Sequence, residues 1–227
     1  MRSCAAGVHL RAAVVDGGGK GIILPACDAS PAVFPPRPRD PLPTPHANRV
    51  RIIGGAWRGR LIRFPAAPGL RPTPDRVRET LFNWLGQDLN GRRCLDLYAG
   101  SGALSLEALS RGAALAVALD RSRALIDALA AMGAVLGATA LETHVADVRA
   151  FLSAERRRFD VIFADPPFRD DPWPWLLPAC AAHLSPGGFV YAEAGKVLEA
   201  PPGLAPWRRD KAGQVHYHLF AQAESLT

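Results

Sequence analysis

The chain has 227 residues, of which 48% are hydrophobic, and a formal net charge of +6. That length suits one ordinary domain, or a domain with a tail, and the apolar fraction is enough to fill a core. No apolar run approaches a membrane span, the first residues lack a secretory pattern, and the four cysteines are too scattered for a zinc site or a redox pair. We therefore expect a reduced, cytoplasmic protein. Its positive charge favours an anionic partner but does not distinguish nucleic acid from a membrane surface.

Residues 1–48 differ in composition from the rest of the chain. They contain eight of the 21 prolines, and proline cannot donate a backbone hydrogen bond to a helix or a sheet. We predict an extended, mobile tail to which we assign no function. The alternative is that translation starts further downstream.

Positive charge is concentrated in residues 49–80, where eight arginines face two carboxylates, Asp75 and Glu79. The net charge of this segment equals that of the whole chain. Residues 49–53 and 60–64 are strand-like and are separated by a glycine pair, which predicts a basic hairpin. Arginine suits forked hydrogen bonds to phosphate. The alternative is a solvated charged face, but the interleaved Gly, Trp and Pro residues favour a binding surface.

A helix is predicted after the hairpin. Thr73 is expected at the N-cap, Pro74 at the first helical position and Asp75 in the first turn. Four apolar residues then follow at helical spacing, namely Val77, Leu81, Trp84 and Leu85. Residues 49–91 are therefore predicted to form a basic N-terminal extension.

From residue 92 onward, strand candidates alternate with helical segments. The candidates are residues 94–98, 115–120, 141–146, 159–164 and 189–193. This alternation predicts an α/β domain over residues 92–227, with a parallel sheet and helices on both faces. The tail, roughly residues 207–221, reads as two more strands around Ala212-Gly213, and so short a connection makes them antiparallel.

A glycine-rich turn follows the first of these strands. Gly100 and Gly102 allow a ligand to approach the backbone closely, and Asp120 ends the next strand, where it can accept hydrogen bonds from both hydroxyls of a ribose. The third glycine of the dinucleotide fingerprint is absent, which disfavours a nicotinamide oxidoreductase. Asp96 suits a cationic amino-acid group better than a pyrophosphate. The pattern therefore indicates S-adenosylmethionine.

Asp147 follows the third strand and has two interpretations. Its carboxylate can accept a hydrogen bond from the adenine amine of the cofactor. It can also cap the helix that begins near Val148. The sequence leaves both open, and both can hold at once.

The run Asp165-Pro166-Pro167-Phe168 follows a buried strand directly. Two prolines stiffen the loop, so the carbonyl of Pro166 and the carboxylate of Asp165 can both face a substrate amine, and Phe168 can stack on a base. Two acceptors favour a pyramidal nitrogen and stabilise the charge that develops on it. The alternative is a stiff turn with a capping aspartate. The position after the fourth strand of an adenosyl-binding sheet favours a catalytic loop.

Several runs together resemble the bacterial RNA methyltransferases that modify guanine N2 of small-subunit rRNA. They are residues 51–60, 69–85, 96–104, 165–168 and 212–215, within a similarity that spans residues 49–221. The arginine-containing run before the first sheet strand is the specific part. The Asp-Pro-Pro-Phe run alone is shared with many amine methyltransferases, including those that act on DNA adenine.

The resemblance implies a Rossmann-like methyltransferase sheet of seven strands with the last strand antiparallel. It implies methylation of the N2 amine of guanine 966 in 16S rRNA, within a partly assembled 30S subunit. It assigns Asp120 to the ribose and residues 165–168 to the amine, and a segment around Arg71 and Thr73 to closure over the methionine end. Many relatives carry Glu where this chain has Asp120, which shortens the reach to the ribose.

The predicted cofactor is S-adenosylmethionine, and no metal is expected because His216 and His218 lack an evident third ligand and suit a surface or RNA-facing position. The residues predicted to bind the cofactor are Arg71, Thr73, Asp96, Tyr98, Ala99, Gly100, Ser101, Gly102, Asp120, Asp147 and Val148. Those predicted to contact RNA are Arg51, Trp57, Arg58, Arg60 and Arg63. We expect a monomer. The rival functions are an N6-adenine DNA methyltransferase, which would need an added target-recognition region, and a non-catalytic RNA-binding assembly factor.

Overall fold

The computed structural model describes residues 48–67, 70, 72–167 and 171–223. Within these ranges the elements are, in order, β1 (Asn48–Arg51), β2 (Leu61–Phe64), α1 (Asp75–Leu85), β3 (Arg93–Asp96), α2 (Ala103–Ser110), β4 (Leu115–Asp120), α3 (Arg123–Leu136), β5 (Leu141–Val145), α4 (Val148–Ala154), β6 (Phe159–Ala164), α5 (Trp173–Ala182), β7 (Leu184–Ala194), β8 (Leu204–Ala212) and β9 (Val215–Gln222). The predicted mobile tail lies outside the described residues, apart from Asn48. None of the helices described is long and apolar enough to span a bilayer.

Seven of the strands form one sheet in the order β5-β4-β3-β6-β7-β9-β8. Strands β3 to β7 run parallel to one another, and β9 is antiparallel to both β7 and β8. The direction of strand addition reverses between β3 and β6, and in open α/β sheets ligands bind at the carboxyl ends of the strands at such a point. The predicted Rossmann-like sheet of seven strands with an antiparallel last strand is confirmed.

Helices cover both faces of the sheet, because successive strand residues point to opposite sides. Leu95 and Ile162 pack against α4 and α5 on one face. Cys94 and Phe163 pack against α1 and α2 on the other. The β1–β2 hairpin packs with α3 and with Ala118 of β4 in a third cluster. The hairpin therefore lies on the β4 side of the reversal point.

The basic hairpin is confirmed as a two-stranded antiparallel sheet. Its apolar residues Val50, Ile62 and Phe64 are buried, whereas the arginines between them are exposed. A strand with one buried and one solvated face needs this period of two. Arg49 and Arg63 are therefore exposed to an anionic partner, whereas Arg51 forms an ion pair with Asp75 at 3.4 Å.

Strand β7 is longer than predicted and begins at Leu184 rather than at Phe189. The sequence Ser-Pro-Gly-Gly within it resembles a turn, and Gly187 does have a φ of 70°. Leu184 nevertheless pairs with Phe159, and after a register shift Phe189 pairs with Val161. Pairing on both sides of the irregularity keeps the segment in the sheet. Strand β3, by contrast, ends at Asp96 where the chain enters the glycine-rich turn.

The predicted N-cap of α1 is wrong. Pro74 occupies the N-cap position, and no side chain caps the helix. Thr73 is buried, and its hydroxyl hydrogen-bonds to Glu193 of β7 instead. A tertiary contact has thus taken the hydroxyl that a cap would use. The helix also buries Arg78 completely, which its apolar pattern did not predict.

The predicted surface position of His218 is also wrong. This residue lies on β9, which is interior to the sheet, and it is buried. Its Nε2 accepts a hydrogen bond from the backbone N–H of Leu198 at 3.2 Å, and its ring stacks on Phe220 with centroids 5.7 Å apart. Burial lowers the pKa of the imidazole, which favours the neutral form that can accept this bond.

Candidate active site

The glycine-rich turn connects β3 to α2 at the carboxyl edge of the sheet. Gly100 and Gly102 both lie in the left-handed region, with φ of 51° and 74°. A Cβ on Gly102 would lie 2.3 Å from Leu129 Cδ1, and one on Gly100 would lie 2.8 Å from Leu70 Cδ1. The left-handed backbone therefore favours glycine at both positions, and at Gly102 the buried side chain of Leu129 also leaves no room for a Cβ. The turn lies at the edge where a ligand of this fold binds, and its residues 99–102 are buried, with Leu70 packed against Gly100.

Asp120 ends β4 beside this turn. Its Oδ2 accepts a hydrogen bond from the N–H of Gly100 at 3.0 Å, and its Oδ1 accepts one from the N–H of Ser122 at 2.8 Å. An ionised carboxylate has about four acceptor positions, so these two bonds leave room for two hydroxyl donors. Asp120 thus fixes the turn and can still receive a ribose.

Asp96, at the end of β3, is buried and accepts a hydrogen bond from Ser105 Oγ at 2.6 Å. Burial raises its pKa to about 6, and the nearby charge of Asp120 adds to the effect. Hydrogen bonds from Ser105 and from the backbone of Tyr98 oppose the shift. A buried carboxyl of this kind favours a cationic ligand, because a nearby positive charge stabilises its ionised form.

The affinity for S-adenosylmethionine is expected to rise with pH through about 6, where Asp96 ionises. Below that pH, a cation that needs the carboxylate should lose up to about tenfold in affinity per pH unit. Protonation of Asp96 does not itself destabilise the fold, since its raised pKa means that the folded chain favours the neutral form. Calorimetric titration from pH 5 to 8 measures the effect.

Asp96→Asn should weaken binding at pH 8 and flatten this pH dependence. The matched control is Asp127→Asn, which alters an exposed carboxylate on α3 and should follow the wild type. Equal affinities at pH 5 and pH 7.5 in the wild type would show that Asp96 does not hold the cationic group.

Asp147 caps α4, where it accepts a hydrogen bond from the N–H of Ala150 at 3.0 Å. It also forms an ion pair with Arg121, and these interactions lower the pKa of its carboxyl. The side chain of Val148 is buried in the core. The capping interpretation is confirmed. The contact of Asp147 and Val148 with adenine stays a prediction.

Asp165 follows β6 directly, at the strand next to β3. Pro166 is buried and Pro167 is exposed. Asp165 keeps part of its surface accessible, yet desolvation raises the pKa of its carboxyl well above the usual value, and the charges of Glu193 and Asp96 raise it further. Three carboxyl groups from β3, β6 and β7 thus converge on the edge that carries the glycine-rich turn. Phe168 lies outside the described residues.

Glu193 is a site residue that the sequence prediction missed. It lies near the end of β7, is buried, and accepts a hydrogen bond from the Tyr191 hydroxyl at 2.7 Å. Thr73 donates a second bond from the segment before α1, and burial raises the pKa of the carboxyl. Glu193 therefore connects the N-terminal extension to the neighbourhood of Asp165. Arg71, which was predicted to act with Thr73, lies outside the described residues.

Comparison with known proteins adds an independent finding. A family model described as conserved hypothetical protein 95 matches residues 50–221. Ribosomal RNA small subunit methyltransferase D of Escherichia coli (strain K12) is 42% identical over 191 residues, which cover 79% of this chain and 94% of that protein. The protein of the same name from Haemophilus influenzae is 36% identical over 186 residues, covering 78% and 96%.

The chain belongs to the ribosomal RNA small subunit methyltransferase D family. A solved methyltransferase structure from Escherichia coli matches this member of the family with a TM-score of 0.70 and 40% identity, covering 77% of this chain and 98% of that one. A methyltransferase solved in complex with SAH has a TM-score of 0.58 at 15% identity, covering 78% and 56%, and bears on the fold alone. The family predicted from the sequence is confirmed.

In this family member, a buried polar cluster holds the hairpin against α2. Glu107 accepts hydrogen bonds at 2.7 Å from the N–H groups of both Ile53 and Gly54, and it forms ion pairs with Arg78 and Arg111. All three charged side chains are essentially inaccessible to solvent. The sequence prediction missed this cluster. The local feature that could have indicated it is a charged residue, Arg78 or Glu107, at a helix position that faces the core.

The residues predicted to contact RNA divide into two groups. The arginines at 51, 58, 60 and 63 are exposed on the hairpin. Trp57 is half-buried: its backbone N–H donates a hydrogen bond to Ser110 Oγ at 2.9 Å, and its ring packs on the core. A groove of about 590 Å³ lies beside the hairpin and is lined in part by Arg49, Arg51 and Thr73. Among the described residues, no His, Cys, Asp and Glu cluster is arranged to hold a metal.

Proposed function

We propose that this rRNA methyltransferase transfers a methyl group from S-adenosylmethionine to the exocyclic N2 amine of guanine 966 in 16S rRNA. The observation that carries the proposal is the convergence at the reversal point of the sheet. The glycine-rich turn follows β3, and the Asp165 loop follows the neighbouring strand β6. This adjacency supports a cofactor site beside an amine-binding loop.

The residues of the turn fit the cofactor. Asp96 would hold the cationic amino-acid end and Asp120 the ribose hydroxyls, and Gly100 would let a ligand approach the backbone once Leu70 moves away from it. Asp147 would serve the adenine amine with the acceptor positions left after it caps α4. When bound, S-adenosylmethionine supplies a methyl group already activated by a sulfonium, so the reaction needs no metal.

Asp165 is proposed to handle the substrate amine. The lone pair of a guanine amine is delocalised into the ring, so the nitrogen attacks only when it becomes pyramidal. The carboxylate of Asp165 and the carbonyl of Pro166 would accept its two N–H groups, favour that geometry and stabilise the developing positive charge. A raised pKa also equips Asp165 to take the amine proton after attack and pass it to water.

A guanine inside a helix does not reach this loop, so the target must be unpaired or flipped out of the stack. Phe168 is proposed to stack on the extruded base. The exposed arginines of the hairpin are proposed to hold phosphates of 16S rRNA in a partly assembled 30S subunit, with one copy of the chain on each particle.

Glu193→Gln is expected to move the acid limb of the pH–rate profile to lower pH. The transfer step needs ionised Asp165, so its rate rises with pH, and loss of the negative charge on Glu193 lowers the pKa of Asp165. Asp96 is the other charged group near Asp165 and is unchanged in this variant. Single-turnover methylation from pH 5 to 9 gives the profile. The control Glu199→Gln alters an exposed residue after β7 and should keep the wild-type profile. An acid limb at the same pH in Glu193→Gln and Glu199→Gln would contradict the role assigned to Asp165.

Transfer of a labelled methyl group to defined polymers tests the proposed substrate. The purified chain is incubated with labelled S-adenosylmethionine and with unmethylated 16S rRNA, 30S particles or duplex DNA. We expect label in rRNA or in the particle and none in DNA. Label in DNA would favour the adenine DNA methyltransferase, and RNA binding without label would favour the assembly factor.

A further inference from the structure

Strand β8 forms one edge of the seven-stranded sheet and carries a strip of exposed residues. Every residue from Pro206 to Lys211 is exposed, and Trp207 keeps 50% of its surface accessible. The guanidinium of Arg208 lies 5.2 Å from the centre of the Trp207 ring, and Phe189 packs against the same ring with centroids 6.2 Å apart. The strip therefore has an exposed aromatic ring that packs against Phe189 and lies beside the positive charge of Arg208.

The strand register aligns one end of this strip with the candidate active site. Glu193 of β7 pairs with Tyr217 of β9, which pairs with Asp210 of β8. In the next row His216 of β9 pairs with Lys211. Neighbouring strands lie about 4.8 Å apart, so three spacings place the end of β8 about 14 Å from the end of β6. A few nucleotides of single-stranded RNA span that distance.

The strip is positively charged. Arg208, Arg209 and Lys211 have no carboxylate within ion-pair distance among the residues that the structure describes. The one carboxylate in the strip, Asp210, accepts hydrogen bonds from the Tyr217 hydroxyl at 2.8 Å and from the N–H of Lys211 at 2.7 Å. Arg76 of α1 is close enough to influence that carboxyl electrostatically. The positive charges of the strip are therefore available to bind an anionic partner.

Protection of the sheet edge explains only part of this pattern. Charged residues, prolines and bulges discourage an edge strand from pairing with another chain, and β8 has Pro206 and a register shift beside it. An exposed tryptophan adds apolar surface to the edge, which favours association with another chain instead of preventing it. A ring with arginines around it is the combination that binds unpaired nucleotides, by stacking and by phosphate contacts.

We propose that residues 207–211 of β8 form a second RNA-contact surface, on the opposite side of the active site from the β1–β2 hairpin. Trp207 lies on the face of Phe189, whereas Arg209 and Lys211 follow His218 and His216 on the other face, so an RNA strand that runs along the open edge of β8 contacts both faces. Arg209 and Lys211 contact its phosphates near the target nucleotide, and Trp207 stacks on an unpaired base about 13 Å further along the strand. The inference rests on the proposed function, since it takes rRNA as the partner. Substrate RNA would then be held on both sides of the flipped guanine. The hairpin, which packs near β4, would hold it on one side, and β8, at the edge of the sheet next to β9, would hold it on the other.

Charge reversal tests the surface against a matched control. Arg209→Glu/Lys211→Glu is compared with Arg92→Glu/Arg156→Glu. The control makes the same charge change at exposed positions that precede the central strands β3 and β6, at the amino ends of the parallel strands and away from the candidate active site. Binding of unmethylated 16S rRNA is measured by filter retention from 50 to 300 mM salt. The β8 variant should bind at least about tenfold more weakly and lose about 1.4 from the slope of log affinity against log salt, as expected for two lost single-strand phosphate contacts.

Trp207→Ala should also weaken RNA binding, by about five- to a hundredfold and with little change in salt slope, because stacking is not ionic. Thermal unfolding verifies that the variants are folded, and calorimetry should give unchanged cofactor affinity. Equal RNA affinities in the β8 variant and the control variant would overturn the proposal. The proposed function is judged separately, by methyl transfer from the wild-type chain to rRNA and by RNA binding of the hairpin variant Arg58→Glu/Arg60→Glu.

Discussion

Asp165→Ala is expected to slow methyl transfer to rRNA by about a hundredfold or more. The variant removes the side-chain acceptor for the guanine amine and the group that takes its proton. The glycine-rich turn and the exposed hairpin are unchanged, so cofactor and RNA affinities should stay close to those of the wild type. Single-turnover methylation of an unmethylated 30S particle measures the transfer step apart from binding.

A second variant of Asp165 and a matched control show which property of this carboxylate the transfer step needs. Asp165→Asn keeps an acceptor oxygen but cannot take a proton, so its rate should fall between those of the wild type and Asp165→Ala. Asp171→Asn alters an exposed carboxylate in the same connection, paired with Lys196, and should transfer methyl at nearly the wild-type rate. Near-normal transfer by folded Asp165→Ala would mean that another group positions the amine.

Glu107→Ala is expected to lower the free energy of unfolding by roughly 3–5 kcal/mol. The substitution removes the carboxylate that the buried guanidiniums of Arg78 and Arg111 share, and it leaves the N–H groups of Ile53 and Gly54 without that acceptor. Arg78 has other partners, including Asp75 at 2.6 Å and the carbonyl of Arg51 at 2.8 Å. These bonds reduce the destabilisation that follows from losing the ion pair, but they do not cancel it.

Urea denaturation provides the measurement, with the midpoint and slope both recorded. Glu79→Ala removes an exposed carboxylate from α1 and should change the free energy of unfolding by less than about 0.5 kcal/mol. Glu107→Gln keeps one acceptor oxygen and should show an intermediate loss, which can be measured even if Glu107→Ala does not fold. If both Glu107 variants unfolded like Glu79→Ala, the cluster would not hold the hairpin to α2.

The parts of the fold that the sequence predicted are those that local periodicity determines. Strand β6 and its loop were predicted because an apolar run ends at Asp165, and the hairpin because two strand-like runs flank a glycine pair. Asp120 was recognised because it ends a predicted strand, and Asp96 because it lies near the glycine-rich turn, although only the structure shows that β3 ends at Asp96. In a parallel sheet, strand ends share one edge, so their convergence follows from the fold class.

The parts that the sequence did not predict depend on contacts between distant segments. Thr73 has the local features of an N-cap, and only the packing of the extension against β7 brings it to Glu193. Glu107 and Arg78 lie on different helices, and nothing local indicates that they meet. His218 was misplaced because strand order is not encoded in local pattern, and β9 lies inside the sheet instead of at its edge.

The identity and position of the methylated nucleoside test the central claim most directly. Unmethylated 30S particles are incubated with the chain and S-adenosylmethionine, the 16S rRNA is digested, and the products are identified by mass spectrometry of nucleosides and of mapped fragments. We expect N2-methylguanosine at position 966 with the wild-type chain and none with Asp165→Ala. N6-methyladenosine, or N2-methylguanosine at another position, would contradict the proposed function.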